Sequence, residues 1–150
     1  MKKSKIFWIV ILIILVAVTL FVNFEKNKES EVCFSSDCVN VKISDDSSER
    51  QLGLMYVSFL EESKGMLFVF EKNGLHGFWM KNTLIPLDII WISEDYDVVN
   101  VETAEPCEED PCPVYVPEKE ARYVLEVNSG WANRNEIRVG DEVKFLCPKK

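Results

Sequence analysis

The chain has 150 residues, with 17 Lys and Arg against 25 Asp and Glu, one His and five Cys. That length holds one ordinary domain and no second full one, and an apolar content of 47% excludes a disordered chain, a collagen or a coiled coil. Residues 1–24 carry three cations and no anion, which leaves 14 cations against 25 anions in the rest; so acidic a balance argues against a nucleic-acid partner, because phosphate binding needs a basic footprint.

Residues 1–24 read as an N-terminal transmembrane anchor. Ile6 to Val22 is a run of 17 residues in which Thr19 alone is polar. In a helix, such a run spans about 26 Å, near the hydrocarbon thickness of a bilayer. Lys2, Lys3 and Lys5 precede it, so the positive-inside rule puts the N-terminus in the cytoplasm and the C-terminal domain outside. The alternative is a cleaved signal peptide, but the run is long for one, and bulky Leu20, Phe21 and Val22 stand where small residues would mark the cut. Residues 25–31 form a polar tether, and residues 32–148 form the folded domain.

An outside domain sees oxidising conditions, in which disulfides persist. Cys33 and Cys38 flank a turn-like stretch, as do Cys107 and Cys112, so two local Cys-x4-Cys loops are a natural pairing. The sequence leaves the connectivity open, and Cys147 is left over. A zinc site is disfavoured, because the spacing is not that of a zinc knuckle and the lone His76 lies elsewhere.

Further along, Val39–Ile43 alternates apolar and polar and reads as a strand pairing with Val32–Phe34 across the first Cys loop. Asp45-Asp-Ser-Ser48 before Glu49 predicts a helix start. Gly65–Phe70 and Leu75–Met80 flank Asn73-Gly74, which predicts a two-residue hairpin turn with Phe68 facing Trp79 and Glu71 facing His76. Both arms are apolar on both sides, as is Leu87–Ile92, so these strands are expected to be covered on both faces. A turn at Glu94–Asp97 leads to a strand at Val98–Val101, and Thr103–Pro117 reads as a loop. Arg122–Val127 is a strand, a short polar helix follows near Trp131–Asn135, and a last strand ends at Leu146. The expected fold is α+β: a compact, mainly antiparallel, barrel-like sheet of about eight strands with two short helices.

Asp88 and Glu126 are carboxylates on otherwise apolar strands, where they are costly unless paired or hydrogen-bonded. They suit acid–base chemistry as a pair, or the quieter task of fixing loop geometry. Lys81-Asn82-Thr83 and Asn128-Ser129-Gly130 lie in loops between core elements, where binding groups concentrate, and helix-start amides near Gly130 suit an anion. His76 has Glu71 as a structural partner in the expected hairpin, and no Gly-x-Ser-x-Gly accompanies it for a triad. Met55, Met66, Met80 and Trp79 suit a soft metal less well than they suit a core. No metal and no cofactor is expected.

In order along the chain stand Glu49-Arg50-Gln51-Leu52-Gly53-Leu54-Met55, Gly65-Met-Leu-Phe-Val-Phe70, Phe78-Trp-Met-Lys-Asn-Thr83, Ile85-Pro-Leu-Asp-Ile-Ile90, Tyr123-Val-Leu-Glu126 with Asn128 and Gly130, and Gly140-Asp141. From about Val39 to Phe145 the chain resembles the DUF192 family of bacteria and archaea. Pro106-Cys107 with Asp110-Pro-Cys112 looks like the archaeal variety. The resemblance implies a compact β-rich domain, often behind a signal or an anchor. No activity is established for the family, so no catalytic residue can be transferred. Tyr96 departs from the pattern, which often has Gly in that turn.

The expected function is therefore that of a membrane-anchored extracytoplasmic module. It would bind a small polar or cationic ligand or an envelope component, with Arg50, Lys81, Asn82, Thr83, Asp88, Glu126, Asn128 and Gly130 as candidate ligand-binding residues. The alternatives are a small hydrolase or lyase using the Asp88/Glu126 pair, and a purely structural accessory domain.

Overall fold

The computed structural model describes Trp8 and residues 11–13, 30–35 and 37–146. Trp8 and residues 11–13 are helical. Most of the expected anchor, residue 36 of the first Cys loop, and Cys147 lie outside the described residues. Among the described residues no helix is long and apolar enough to cross a membrane.

The domain holds nine strands and two short helices: β1 Ser30–Phe34, β2 Asp37–Ser44, α1 Ser47–Leu52, β3 Lys64–Gly74, β4 Phe78–Trp79, β5 Leu87–Ile92, β6 Val98–Ala104, β7 Val114–Tyr115, β8 Ala121–Asn128, α2 Trp131–Arg134 and β9 Val143–Leu146. Seven strands form one sheet in the order β6-β5-β8-β3-β2-β1-β9, and β4 pairs with β7 in a second, two-stranded sheet. β2 and β3 run parallel, whereas the other neighbours in the large sheet run antiparallel. The parallel pair follows from the long crossover between Ser44 and Lys64, which carries α1 over one face of the sheet.

The sheet curls until its two edges meet at one corner. Val98 N donates to Asp141 O at 2.9 Å, Gly140 N to Val98 O at 2.8 Å and Val143 N to Tyr96 O at 2.7 Å. The result is a half-barrel. One buried cluster draws on all seven strands, from Val98 in β6 through Ile90, Leu125, Leu67, Val41 and Val32 to Val143 in β9, with Trp131 of α2 packed into it. A second cluster lies on the other face, where Met66, Phe68, Ile89, Trp91 and Val124 are covered by Leu54, Met80 and Phe78. Two cores on two faces explain why β3, β5 and β8 are apolar on both sides.

The β1–β2 hairpin forms as expected, with Cys33 opposite Cys38, and both local disulfides, Cys33–Cys38 and Cys107–Cys112, are present. The expected hairpin at Asn73-Gly74 does not form. β3 runs straight through it to Gly74, Phe68 pairs with Val124 of β8, and β4 pairs with β7. The reason is competition: β3 pairs with β2 along Lys64–Phe68 and with β8 along Gly65–Val69 and again at Gly74, so it has a neighbour on each side. His76 does not face Glu71 either. Its Nε2 lies 3.0 Å from the Lys72 carbonyl oxygen, and its ring stacks on Phe70 at 3.6 Å. The stretch 103–117 is not all loop, since β6 extends to Ala104 and β7 lies within it.

Candidate functional site

The segment that covers the outer face begins at Asp46, which caps α1 by accepting from Ser48 N and Glu49 N at 2.8 Å each. The Glu49 amide and then the Ser48 hydroxyl hold the Asp46 carboxyl below its ordinary pKa. Arg50 ties the helix down. Its Nη1 donates to the carbonyls of Asp45 at 2.5 Å and Val69 at 3.0 Å, and its guanidinium lies 5.4 Å from the centre of the Phe70 ring. The helix then ends at Gly53, whose φ of 50° and ψ of −133° suit glycine alone. A Cβ there would come within 3.3 Å of Phe68 Cζ and 4.0 Å of Glu126 Oε2. This glycine brings the backbone down onto Phe68 and Glu126.

Glu126 is the floor. It sits in the middle of β8, opposite Met66 of β3 on one side and Ile89 of β5 on the other. It is 5% exposed, and its Oε2 is buried with no hydrogen-bond partner among the described residues. Burial raises its pKa to about 8, so the carboxyl is largely protonated at neutral pH. Above it lies a cavity of ≈ 30 Å³ walled by Gly53, Phe68, Phe78, Trp79 and Thr83, with the stem of Arg50 at its side. The cavity adjoins a wider groove of ≈ 390 Å³, and the two share Gln51, Leu52, Met55 and Trp79 as walls. The groove continues along Tyr56, Lys81 and Asn82. Leu52, Tyr56 and Trp79 are 52%, 65% and 46% exposed, a large apolar area to leave in water around one buried carboxyl.

Lys81 stands at the groove with its charge already answered. Its Nζ lies 2.7 Å from Asp110 Oδ2, in the Cys107–Cys112 loop, and 5.8 Å from the centre of the Trp79 ring. Asn82 has a positive φ of 58°, and its carbonyl accepts from Tyr56 N at 2.8 Å, which fastens the two groove walls together. Thr83 is buried beneath them.

Arg50, Lys81, Asn82, Thr83 and Glu126 therefore come together around one cavity and groove, while Asp88, Asn128 and Gly130 do not. Asp88 faces the inner core, 1% exposed, where Oδ1 accepts from Thr103 Oγ1 at 2.7 Å and Oδ2 from Ala132 N at 2.9 Å. It joins β6 and α2 to β5. Asn128 Nδ2 donates to the carbonyls of Leu60 at 2.9 Å and Glu61 at 3.2 Å, anchoring the crossover loop. Gly130, at φ 79°, is the left-handed entry to α2, and the space beside it holds the Arg134 guanidinium. The Ala132 amide of α2 is spent on Asp88, so the anion site expected near Gly130 has lost that donor.

The expected acid–base pair also dissolves. In the β5–β8 register Asp88 is opposite Val127, and Glu126 is opposite Ile89. Side chains alternate along a strand, so the two carboxylates point to opposite faces and share no pocket. The residues that sequence reasoning missed are Leu52, Tyr56 and Trp79. In a chain rich in apolar strands nothing local distinguishes an exposed wall from core.

Comparison with known proteins agrees with this architecture. The profile of the DUF192 family, described as Uncharacterized ACR, matches residues 30–145. The UPF0127 protein PH1112 of Pyrococcus horikoshii is 29% identical over 111 residues, covering 71% of this chain and 87% of that protein. The UPF0127 protein PYRAB11210 of Pyrococcus abyssi is 31% identical, covering 71% and 86%. Among solved structures, one described as a putative transcription regulator from Sinorhizobium meliloti matches with a TM-score of 0.70 at 30% identity, over 78% of this chain and 92% of that one. A protein of unknown function from Novosphingobium aromaticivorans matches with a TM-score of 0.70 at 33% identity, over 77% and 83%. A profile that spans the whole curled sheet, with archaeal relatives over the same stretch, makes the chain a member of the DUF192 family, also named UPF0127, whose function is unknown.

Proposed function

We propose that this protein is a small-ligand binding module held at the outer side of a cell membrane, and that its ligand occupies the cavity over Glu126 and the groove beside it. The observation that carries the reading is the buried Glu126 Oε2, which has no partner among the described residues and lies beneath a cavity that opens between exposed apolar walls. A buried carboxyl oxygen left unpaired costs roughly 1–3 kcal/mol, a cost that a ligand can offset by supplying the missing partner. The membrane location rests on the apolar run Ile6–Val22 behind three lysines, and the two disulfides suit an oxidising compartment.

The regulator description given to the Sinorhizobium meliloti protein is not carried over, because 14 cations against 25 anions beyond residue 24 make a poor surface for nucleic acid. A structural accessory role is favoured only by Asp88, which is fully committed inside the core.

The test is a thermal-shift screen of the full chain in detergent micelles against small metabolites and soluble envelope fragments, run beside Glu126→Gln. Some compounds should raise the melting temperature of the wild type and fail to do so in the variant. A screen with no shift, or with shifts equal in the two proteins, ends the proposal.

A further inference from the structure

The cavity over Glu126 is small, lies above a buried carboxyl and is walled in part by aromatic rings. Resting on the binding reading above, we propose that it receives the head of a primary alkylammonium, –NH₃⁺ against Glu126, with the aliphatic stem laid along Leu52, Met55, Tyr56 and Trp79 in the groove.

Size comes first. A cavity of ≈ 30 Å³ has room for a water-sized group. An –NH₃⁺ tip is of that size, whereas a guanidinium or a trimethylammonium is not. Charge comes next. Among the described residues no cation pairs with Glu126: its strand neighbours Met66 and Ile89 are apolar, Gln51 and Thr83 on the cavity walls are neutral, and the Arg50 guanidinium on α1 is turned to the Asp45 and Val69 carbonyls. Lys81, further out, is held by Asp110. Among the described residues the carboxyl therefore has no paired countercharge. The walls complete the case, because Phe68, Phe78 and Trp79 line the cavity, and aromatic rings attract a cation near their faces. The acidic balance of the chain beyond residue 24 draws cations toward the domain.

Binding is an exchange of ions. The protonated carboxyl gives its proton to the buffer, and the carboxylate that remains pairs with the ammonium. With a carboxyl pKa of about 8, each ligand bound at pH 7 releases about 0.9 proton. Apparent affinity should accordingly rise about tenfold from pH 7 to pH 9 while the amine itself stays protonated.

The experiment is isothermal titration of the full chain in micelles with n-butylammonium chloride, in two buffers of different ionisation enthalpy. Butan-1-ol, guanidinium and tetramethylammonium serve as comparisons. Butylammonium should bind with proton release, and the three comparisons should bind at least tenfold more weakly. Glu126→Gln should lose the proton release and at least tenfold in affinity. Trp79→Ala, at a partly exposed position, should weaken butylammonium and leave the proton release intact. Competition by ethanolamine-headgroup vesicles against free diamines then separates a lipid source of the amine from a soluble one. Equal binding of butanol, butylammonium binding unchanged in Glu126→Gln, or no binding of butylammonium overturns the ammonium assignment. If Glu126→Gln still abolishes the shift of some neutral compound in the thermal screen, the binding reading survives that failure. If nothing depends on Glu126, both fall, and the cavity holds solvent only.

Discussion

Asp88 and Glu126 stand one step apart in the β5–β8 register, and they project from opposite faces of the sheet. Both are buried, yet their surroundings differ. Asp88 has both carboxylate oxygens bonded, by a hydroxyl and by a backbone amide, whereas Glu126 has an oxygen with no partner among the described residues, beneath a cavity. Two acids that look alike in the sequence thus carry separate tasks. One ties β6 and α2 to β5 on the inner face, and the other lies on the outer face beneath a cavity.

Replacing Asp88 should be a stability experiment and nothing else. Asp88→Ala leaves the buried Ala132 amide without its acceptor and takes away the partner of the more exposed Thr103 hydroxyl. The orphaned amide should cost about 1–3 kcal/mol, and the hydroxyl adds little because water can replace its acceptor. Urea unfolding of the full chain in micelles reads this directly. A loss under 1 kcal/mol would show that Asp88 does not tie α2 to β5. Ligand binding on the other face should be unchanged in whatever fraction remains folded.

Glu126 should make stability fall as pH rises. Its folded pKa of about 8 lies above the ordinary value of 4.5, so between those limits the folded state holds a proton that the unfolded state has released. The stabilising effect of the neutral carboxyl is complete below pH 4.5 and is lost as pH climbs to 8, at up to about 1.4 kcal/mol per pH unit, and it levels off above that. Glu126→Gln removes the titrating group. The difference in unfolding free energy between wild type and variant, measured at pH 5, 6.5 and 8, should therefore move in favour of the variant as pH rises. A difference flat across that range would mean the carboxyl is hydrated and ionised in solution.

Local signals in the sequence were read well where local pairing decided the outcome. The Cys33–Cys38 hairpin, the Asp46 cap, the turn before Val98 and the strands β5 and β8 are each specified by neighbours a few residues away. Asn73-Gly74 misled for the opposite reason. As strong a local turn signal as it is, it lost to pairing of β3 with β2 and β8, whose partners come from far along the chain. The site was half legible. A carboxylate at 126 on an apolar strand stands out, but which face it takes, and that Trp79 and Tyr56 flank it in the open, follow from a register between distant strands that no local pattern encodes.

The two disulfides close loops of equal size, each with a sequence separation of 5, one in the β1–β2 hairpin and one between β6 and β7. Each should contribute about 2 kcal/mol by restricting the unfolded chain, and the two should add. Unfolding of wild type, Cys38→Ser, Cys112→Ser and the double variant tests this. A double variant no worse than either single one would place the effect in the folded state. The Cys112→Ser variant should also free Asp110 from its place beside Lys81, seen as a loss of the ion pair in side-chain NMR of the lysine.

Gly53 links the fold to the site most directly, so its replacement joins stability to binding in a single residue. Its φ of 50° with ψ of −133° lies where L side chains are strained, and a methyl there meets Phe68 Cζ at 3.3 Å. The backbone cost alone should be about 1–2 kcal/mol. Relief would require the 53–55 segment to lift away from β3 and β8, which would open the cavity over Glu126 to water. An opened cavity hydrates the carboxyl and lowers its pKa toward the ordinary range. Gly53→Ala should then show three linked effects: lower unfolding free energy, a weaker pH dependence than wild type between pH 5 and 8, and loss of ligand-induced stabilisation. Destabilisation with an unchanged pH dependence would mean that the segment stays seated and the strain is absorbed elsewhere, which would separate the shape of the turn from the burial of Glu126.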